Sequence, residues 1–262
     1  MKRRHLFEFE DLPWFPEFIR NYITDFLRTV AEKFNMFGPV IPTINELVSR
    51  SENGSLVDLA SGGGGQWRTL IPRILSAHPD FQLFLTDKYP NIPALNRVRQ
   101  DFPEVVNIES ESIDATCVSK QRSGARTLFL SLHHFKPDLA TEIFRDAVAS
   151  NTPIAVFEAQ QRNLEHVIRF SFSPLMSWIL TPFIRPFSWG RLLFTYLLPI
   201  VPLVILWDGV VSVYRTYTLE ETEEMARNAD PDQKFRWESE LIIHGQQKIQ
   251  VFKGYPKSEN AG

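Results

Sequence analysis

Cysteine is nearly absent from this sequence: Cys117 is the only one among 262 residues. One cysteine excludes an intrachain disulfide, and no cysteines and histidines share the spacing of a metal site. The sequence therefore predicts no metal and favours a reducing cytoplasm. An apolar leader is also missing, because the start "MKRRHLFEFEDLPWF" turns acidic before any apolar run develops. We expect Lys2 to His5 to form a solvated tail rather than a contact with an anionic membrane.

A large excess of charge of either sign is missing too. The net charge is −3, and 23% of the residues are charged. A protein that binds duplex nucleic acid needs clustered lysine and arginine to displace counterions, so the composition predicts no nucleic-acid partner. Aromatic residues are abundant instead, and 21 of them are phenylalanine. The length allows one large domain, or a domain with an insertion, to bury them.

Short apolar strands alternate with amphipathic helices from about residue 55. The predicted strands include "SLVDLA", "FQLFLTD", "RTLFLSL" and "PIAVFEA", and the chain closes with a hairpin of "KFRWESELII" and "QKIQVFKGY". This pattern predicts an α/β fold: a doubly wound, seven-stranded, mostly parallel, Rossmann-like sheet with an antiparallel C-terminal hairpin and N-terminal helices. The predicted units are N-terminal helices that cover the site (1–54), a nucleotide-binding core (55–169), a hydrophobic insertion (170–217), and the last helix with the closing hairpin (218–262).

The stretch "VDLASGGGGQW", residues 57–67, places four glycines directly after the first strand. Glycine tolerates positive φ and lets a ligand approach bare backbone, and a turn alone needs only one or two. The loop therefore predicts a nucleotide-type ligand. A phosphate loop is excluded, because Arg68 and Thr69 do not follow the glycines in its pattern. The dinucleotide fingerprint requires a third glycine where Trp67 stands, so an NAD(P)-linked oxidoreductase is the weaker alternative.

"VDLASGGGG" resembles the first motif of class I S-adenosylmethionine-dependent methyltransferases, in which an acid precedes G-x-G-x-G. The resemblance implies S-adenosylmethionine as cofactor and an enzyme that transfers methyl groups. Asp58 matches the acid, which in the family reaches the ligand's amino group through water or the loop. The loop positions that match the motif are Ala60, in place of the first glycine, Ser61, Gly62 and Gly64.

Two further segments resemble motifs of the same family. "FLTDKYPN" is similar to the acid that ends the second strand, which implies that Asp87, with Lys88 beside it, accepts hydrogen bonds from both ribose hydroxyls. "SIDAT" is similar to the segment at the adenine edge, which implies a role for Asp114 and Ala115. Capping of a helix is an equally good reading of Asp114.

"RTLFLSLHHF" resembles the fourth strand and the loop that lines the reaction site, and it contains Ser131, His133 and His134. Similar sequences occur in methyltransferases that act on quinones and other small hydrophobic molecules, so the resemblance implies a small hydrophobic or lipid-like acceptor. A general base is needed only if the acceptor is protonated. An imidazole with an ordinary pKa near 6.5 suits that task, so either histidine is a candidate catalytic residue. The alternative is that one of the rings packs in the core or forms a hydrogen bond with the loop. Glu158, which ends the fifth strand, could also face the site, but we favour a structural hydrogen bond as its role.

Residues 170–207 form a long apolar and aromatic stretch. Its cleanest run, Leu192 to Trp207, is shorter than the ~20 residues of a spanning helix and contains Pro199 and Pro202. Three readings follow: a helical hairpin in the membrane interface, a lid over the acceptor pocket, or an oligomer interface. We favour the first two combined, with a cytoplasmic protein at the inner face of a membrane. A membrane-associated binding protein without catalysis is the alternative function, because fold does not fix function.

Overall fold

The computed structural model describes residues 1–118 and 123–257. Within them, seven strands form one sheet in the order β3-β2-β1-β4-β5-β7-β6. The strands are β1 (Ser55–Leu59), β2 (Gln82–Leu85), β3 (Val106–Ile108), β4 (Ala125–Phe129), β5 (Ile154–Glu158), β6 (Phe235–His244) and β7 (Gln247–Pro256). The first five are parallel, and β7 runs antiparallel to both β5 and β6. The predicted fold class is therefore confirmed.

Helices cover both faces of the sheet because successive residues of each buried strand point to opposite sides. The helices are α1 (Glu17–Lys33), α2 (Ile41–Ser49), α3 (Trp67–Leu75), α4 (Ile92–Asp101), α5 (Pro137–Ala149), α6 (Leu164–Ser171), α7 (Ser173–Leu180), α8 (Trp189–Leu192), α9 (Ile200–Arg215) and α10 (Leu219–Ala229). Leu56 packs with α2, α3 and α4 on one face. Val57 packs with α5 and α10 on the other.

The sheet positions a binding site at its carboxyl edge. The neighbouring strands β1 and β4 run in parallel, with Leu59 opposite Leu128. The helix after β1 packs on one face, and the helix after β4 packs on the opposite face. In doubly wound proteins such a change of face marks the place where ligands bind, so the ends of β1 and β4 are the candidate site.

Helices α7 to α9 lie within the predicted insertion, and α6 overlaps its start. Helices α6 and α7 pack on α9, which in turn packs against α1. Ile19 and Ile23 of α1 share a buried cluster with Val204 and Ile205 of α9. No single helix of the described chain combines the length and apolar character of a membrane span. One pair does so only when taken together, Trp189–Leu197 with Ile200–Arg215, and it is bent by 76°.

Candidate active site

The glycine-rich loop turns sharply at the end of β1. Gly62 and Gly64 have φ values of +55° and +63°, which glycine adopts without steric cost. No described heavy atom lies within 4 Å of the position that a Cβ would take at Gly62. Ala60, which replaces the family's first glycine, also has a positive φ of 53°. Its Cβ therefore carries strain in this turn.

Helix α1 packs closely against the other two glycines, Gly63 and Gly65. A Cβ on Gly63 would lie 2.7 Å from a methyl carbon of Thr24. A Cβ on Gly65 would lie 2.9 Å from the Cα of Arg28. Close packing of α1 therefore accounts for glycine at positions 63 and 65, which are not among the predicted ligand-binding positions. The open backbone that a ligand can use is centred on Gly62.

Asp58 supports the loop from inside the core. Its side chain is fully buried and accepts hydrogen bonds from the indole N–H of Trp67 at 2.8 Å and the hydroxyl of Thr127 at 2.7 Å. Burial raises the pKa of Asp58 to about 7, although both of these hydrogen bonds oppose the rise. Because Asp58 is enclosed, its contribution to ligand binding passes through the loop. Trp67 is equally buried, where a dinucleotide fingerprint has its third glycine.

Asp87 lies directly beside the open part of the loop. Its carboxylate accepts hydrogen bonds from the backbone N–H of Gly62 at 2.9 Å and of Tyr89 at 2.8 Å. Each carboxylate oxygen can accept more than one hydrogen bond, so acceptor positions remain for a ligand. The structure therefore places Asp87 beside Gly62, so these two predicted site residues lie together.

Lys88 and Asp114 bind each other on the same rim, with 2.9 Å between Nζ and Oδ2. Asp114 also accepts hydrogen bonds from the backbone and hydroxyl of Thr116. These bonds, with Lys88, lower the pKa of Asp114 to about 2. The carboxylate is thus engaged within its own turn. Ala115 is buried against the core and offers a ligand no exposed side chain.

Two serines of the predicted site are buried at neighbouring strand ends. The Ser61 hydroxyl donates to the carbonyl of Asp58 at 2.9 Å and holds the loop. The Ser131 hydroxyl follows β4 and has no hydrogen-bond partner among the described residues. An unpaired buried hydroxyl is costly, so this group suits a bound polar ligand.

His133 and Glu158 form a buried pair at the ends of β4 and β5. The imidazole Nδ1 lies 3.0 and 3.1 Å from the two carboxylate oxygens, and the backbone N–H of His133 donates to the same group at 3.3 Å. Both side chains are less than a tenth exposed. An Nδ1–H that donates to Glu158 leaves Nε2 with a free lone pair, which is the tautomer of a general base.

His134 points instead to a cluster of charges. Its Nδ1 lies 3.0 Å from Asp11 and 3.4 Å from Glu8, and Arg215 binds both of these carboxylates. Burial alone would lower the pKa of His134, but the two carboxylates outweigh it and raise the pKa to about 9. His134 therefore carries a proton at neutral pH. A protonated imidazole has no free lone pair, so this arrangement disfavours the predicted role of His134 as a base.

The N-terminal segment, residues 1–12, lies over α9 and the loop after β4. Asp208 of α9 accepts hydrogen bonds from the backbone N–H groups of Phe9 and Glu10 at 2.8 and 3.2 Å. Arg3 donates to the carbonyl of Phe135 at 3.1 Å and stacks on the ring of Tyr217. The prediction that Lys2 to His5 form a solvated tail is therefore wrong for Arg3.

Sequence reasoning missed Glu8, Asp11 and Arg215. About two hundred residues separate the two acids from their arginine, and no local motif links them. The only signal was the buried-looking mixture of charged and apolar residues in "FEFED" and "WDGVVSVYRTYT".

One group among the described residues has the composition of a metal site: Glu8, His133 and His134 have potential ligand atoms within 4.8 Å of one another. Arg215 already neutralises Glu8, at 3.1 Å, and His134 holds its own proton. A divalent cation would have to displace that proton and lie beside the guanidinium. This donor set therefore does not fit a resident metal ion well.

Comparison with solved structures identifies the fold. An O-methyltransferase family protein from Burkholderia thailandensis superposes with a TM-score of 0.51 at 14% identity over 92% of this chain. The S-adenosylmethionine-dependent methyltransferase SibL superposes with a TM-score of 0.52 at 14% identity over 94%. The chain therefore shares the Rossmann-like fold of these methyltransferase structures. The chain spans 63% of the length of the first structure and 60% of the second.

This methyltransferase fold does not by itself decide the activity. A Rhodobacter sphaeroides structure named as a zinc-dependent alcohol dehydrogenase superposes with a TM-score of 0.52 at 9% identity, over 90% of this chain and 98% of its own. No family model matches the sequence, and no curated protein matches it. Activity must therefore be argued from the site.

Proposed function

We propose that the protein is an enzyme that transfers a methyl group from S-adenosylmethionine to a hydroxyl group of a small hydrophobic acceptor. The observation that carries the proposal is the buried His133–Glu158 pair, with 3.0 Å between Nδ1 and Oε2, at the ends of β4 and β5, the first two strands on one side of the strand that precedes the glycine loop. The alternative, hydride transfer with NAD(P), would need close helix packing at the position that Trp67 fills.

The residues present fit the methyl donor. Gly62 offers open backbone, and Asp87 offers a partly exposed carboxylate hydrogen-bonded to that backbone at 2.9 Å. The unpaired hydroxyl of Ser131 provides a further polar group at the end of β4. We assign the sugar hydroxyls to Asp87 and the amino-acid portion to the backbone near Gly62. When bound, the donor supplies an activated sulfonium methyl group.

His133 would act on the acceptor and not on the donor. Its Nε2 would take the proton from the acceptor hydroxyl, which makes the oxygen more nucleophilic. Glu158 would fix the ring orientation and stabilise the positive charge that the ring gains. The low exposure of both side chains keeps water from competing for the proton.

The hydrophobic class of the acceptor rests on what surrounds this pair. Leu132 precedes His133 and is buried. The N-terminal segment that covers the loop contributes Phe9 and Leu12 to the apolar cluster of α1 and α9. An acceptor that enters between these elements would meet these apolar side chains on one side and the charged cluster of Glu8, Asp11 and Arg215 on the other.

A labelled-methyl assay with fractionated lipid and metabolite extracts tests the proposal. We expect His133→Gln to lower turnover by about 10²- to 10⁴-fold with donor affinity unchanged. Glu158→Gln should lower turnover less, and His78→Gln, on the far side of the core, should leave it unchanged. Wild-type turnover by His133→Gln would reject the base. Donor binding without transfer to any fraction would favour a non-catalytic binding protein.

A further inference from the structure

We propose that helices α7 to α9 insert their outer surface into one leaflet of a lipid bilayer. We call this surface the outer apolar face, and it consists of Leu175, Trp178, Ile179, Trp189, Leu197 and Leu203. This proposal goes beyond methyl transfer, because it concerns where the protein acts and holds whether or not it is an enzyme.

In α7 and in the turn after α8, a hydroxyl side chain points inward and apolar side chains point outward. In α7 the hydroxyl residue Ser177 is fully buried, while Trp178 and Ile179 are about half exposed. In the turn Leu193–Leu197, Thr195 is fully buried and Leu197 is 74% exposed. A helix that faces water places its polar residues outside, so these helices fit an apolar medium.

Helix α9 is apolar on both sides along its first half. Val201, Val204 and Ile205 are buried against α1, while Ile200 and Leu203 are exposed. Helix α5, which faces water elsewhere in the molecule, shows the ordinary pattern, with Glu142 paired to Arg145 outside. Exposed apolar residues also occur elsewhere, such as Leu139 of α5 and Ile243 of β6, but they are concentrated in residues 172–207.

Charges are kept away from the outer apolar face. Arg191 is buried and neutralised by Asp25 at 2.9 Å, and it also donates to the carbonyl of Ile184 at 2.9 Å. Arg185 is the exposed charged residue of segment 173–207, and Lys33 lies 6.0 Å from the ring of Phe183. Two cations beside an apolar, tryptophan-rich surface complement lipid phosphates above a hydrocarbon layer.

A bilayer fits this surface better than a second copy of the chain. An interface between proteins carries about one hydrogen bond per 100–200 Å², and this face has almost no polar side chain to form them. The exposed tryptophans of the described chain are Trp178, Trp189 and Trp207, which lie in this insertion, and Trp14, which lies between the N-terminal segment and α1. The 76° bend between the arms suits a wedge in the interface.

The insertion would also bring the N-terminal segment to the lipid surface. The indole N–H of Trp207 donates to the carbonyl of Phe7 at 3.0 Å, and the next residue, Asp208, holds Phe9 and Glu10. The segment that covers His134 is thus attached to the proposed membrane helix. If methyl transfer is correct, a lipid-dissolved acceptor has a short route to the site.

Flotation of the purified full chain with phosphatidylcholine vesicles, with and without phosphatidylglycerol, tests the proposal. We expect the wild type to float with both, to bind the anionic vesicles more tightly, and to remain bound in high salt. Leu197→Glu with Leu203→Glu should weaken binding by roughly a hundredfold, because two leucine side chains that enter the hydrocarbon layer are lost. The matched control is Ile243→Glu, which replaces an aliphatic residue of β6 that is about as exposed as Leu203. This variant should float like the wild type.

Three results would overturn the proposal. The wild type could fail to float, or the double variant could float as well as the control. Light scattering could also show that the wild type is a dimer and the double variant a monomer. That result would assign the face to a second copy of the chain. If the double variant does not fold, Trp189→Ser replaces it, with a weaker expected loss. Donor affinity measured on the same variants should be unchanged, which separates failure here from failure of the proposed function.

Discussion

The Arg28 backbone lies against Gly65 so closely that a Cβ at position 65 would be 2.9 Å from the Cα of Arg28. Helix α1 therefore packs against one end of the glycine loop, while the backbone at Gly62, three residues earlier, has no close neighbour. A glycine-rich loop of this kind has two functions: close packing of a covering helix, and access to backbone for a ligand. We assign the packing of α1 to Gly65 and the access for a ligand to Gly62.

Gly65→Ala and Gly62→Ala should consequently have different effects. The first displaces α1 and should lower the free energy of unfolding by about 1–3 kcal/mol, with faster amide hydrogen exchange across α1. The second meets no neighbouring atom and carries mainly backbone strain of about 1–2 kcal/mol, but it should weaken donor binding. Equal exchange rates across α1 in both variants would contradict this division.

Asp58→Asn should stabilise the protein more at pH 8 than at pH 5. The pKa of Asp58 is about 7 in the folded protein and 3.8 as the ordinary value, so the folded state holds the proton more tightly. Stability contributed by this proton is present at low pH and is lost as the pH rises toward 7. Asparagine does not titrate and keeps an acceptor for Trp67 or Thr127. Thermal melts across this range check the prediction, and a gain that does not grow with pH would contradict it.

His134 should titrate with a midpoint near 9. This pKa is raised above the ordinary 6.5, so the attraction to Glu8 and Asp11 is fully present below about pH 6.5 and is lost as the pH rises through 9. NMR titration of the histidine side chains, with His134→Gln for assignment, measures the midpoint. We also expect the N-terminal segment to exchange amide hydrogens faster above that midpoint. A midpoint close to 6.5 would show that the charge cluster is not formed in solution.

The sequence predicted the sheet well because the strand pattern is local. Five apolar segments alternate with helices, and the last hairpin reads as an antiparallel pair. Each strand carries its own signal, so the order of elements needed no knowledge of distant contacts. That Asp87 and Gly62 lie at the same edge of the sheet follows for the same reason, because each comes after one of two strands that lie side by side.

The rest depended on contacts between distant parts of the chain. Four glycines show that something approaches the backbone, but they do not show that Arg28 is what approaches Gly65. Two adjacent histidines look equivalent in "LHHF", yet one faces Glu158 and the other faces Asp11, and only the fold separates them. Composition likewise identified an apolar insertion without showing that Ser177 points inward.

Calorimetric titration with S-adenosylmethionine tests the central claim most directly. We predict that the wild type binds S-adenosylmethionine and S-adenosylhomocysteine but not NADH. Asp87→Asn should weaken binding by roughly 10- to 100-fold, because a charged acceptor of hydrogen bonds is lost, while Asp80→Asn should bind like the wild type. No binding of either nucleoside by the folded wild type, or unchanged affinity in Asp87→Asn, would contradict the account.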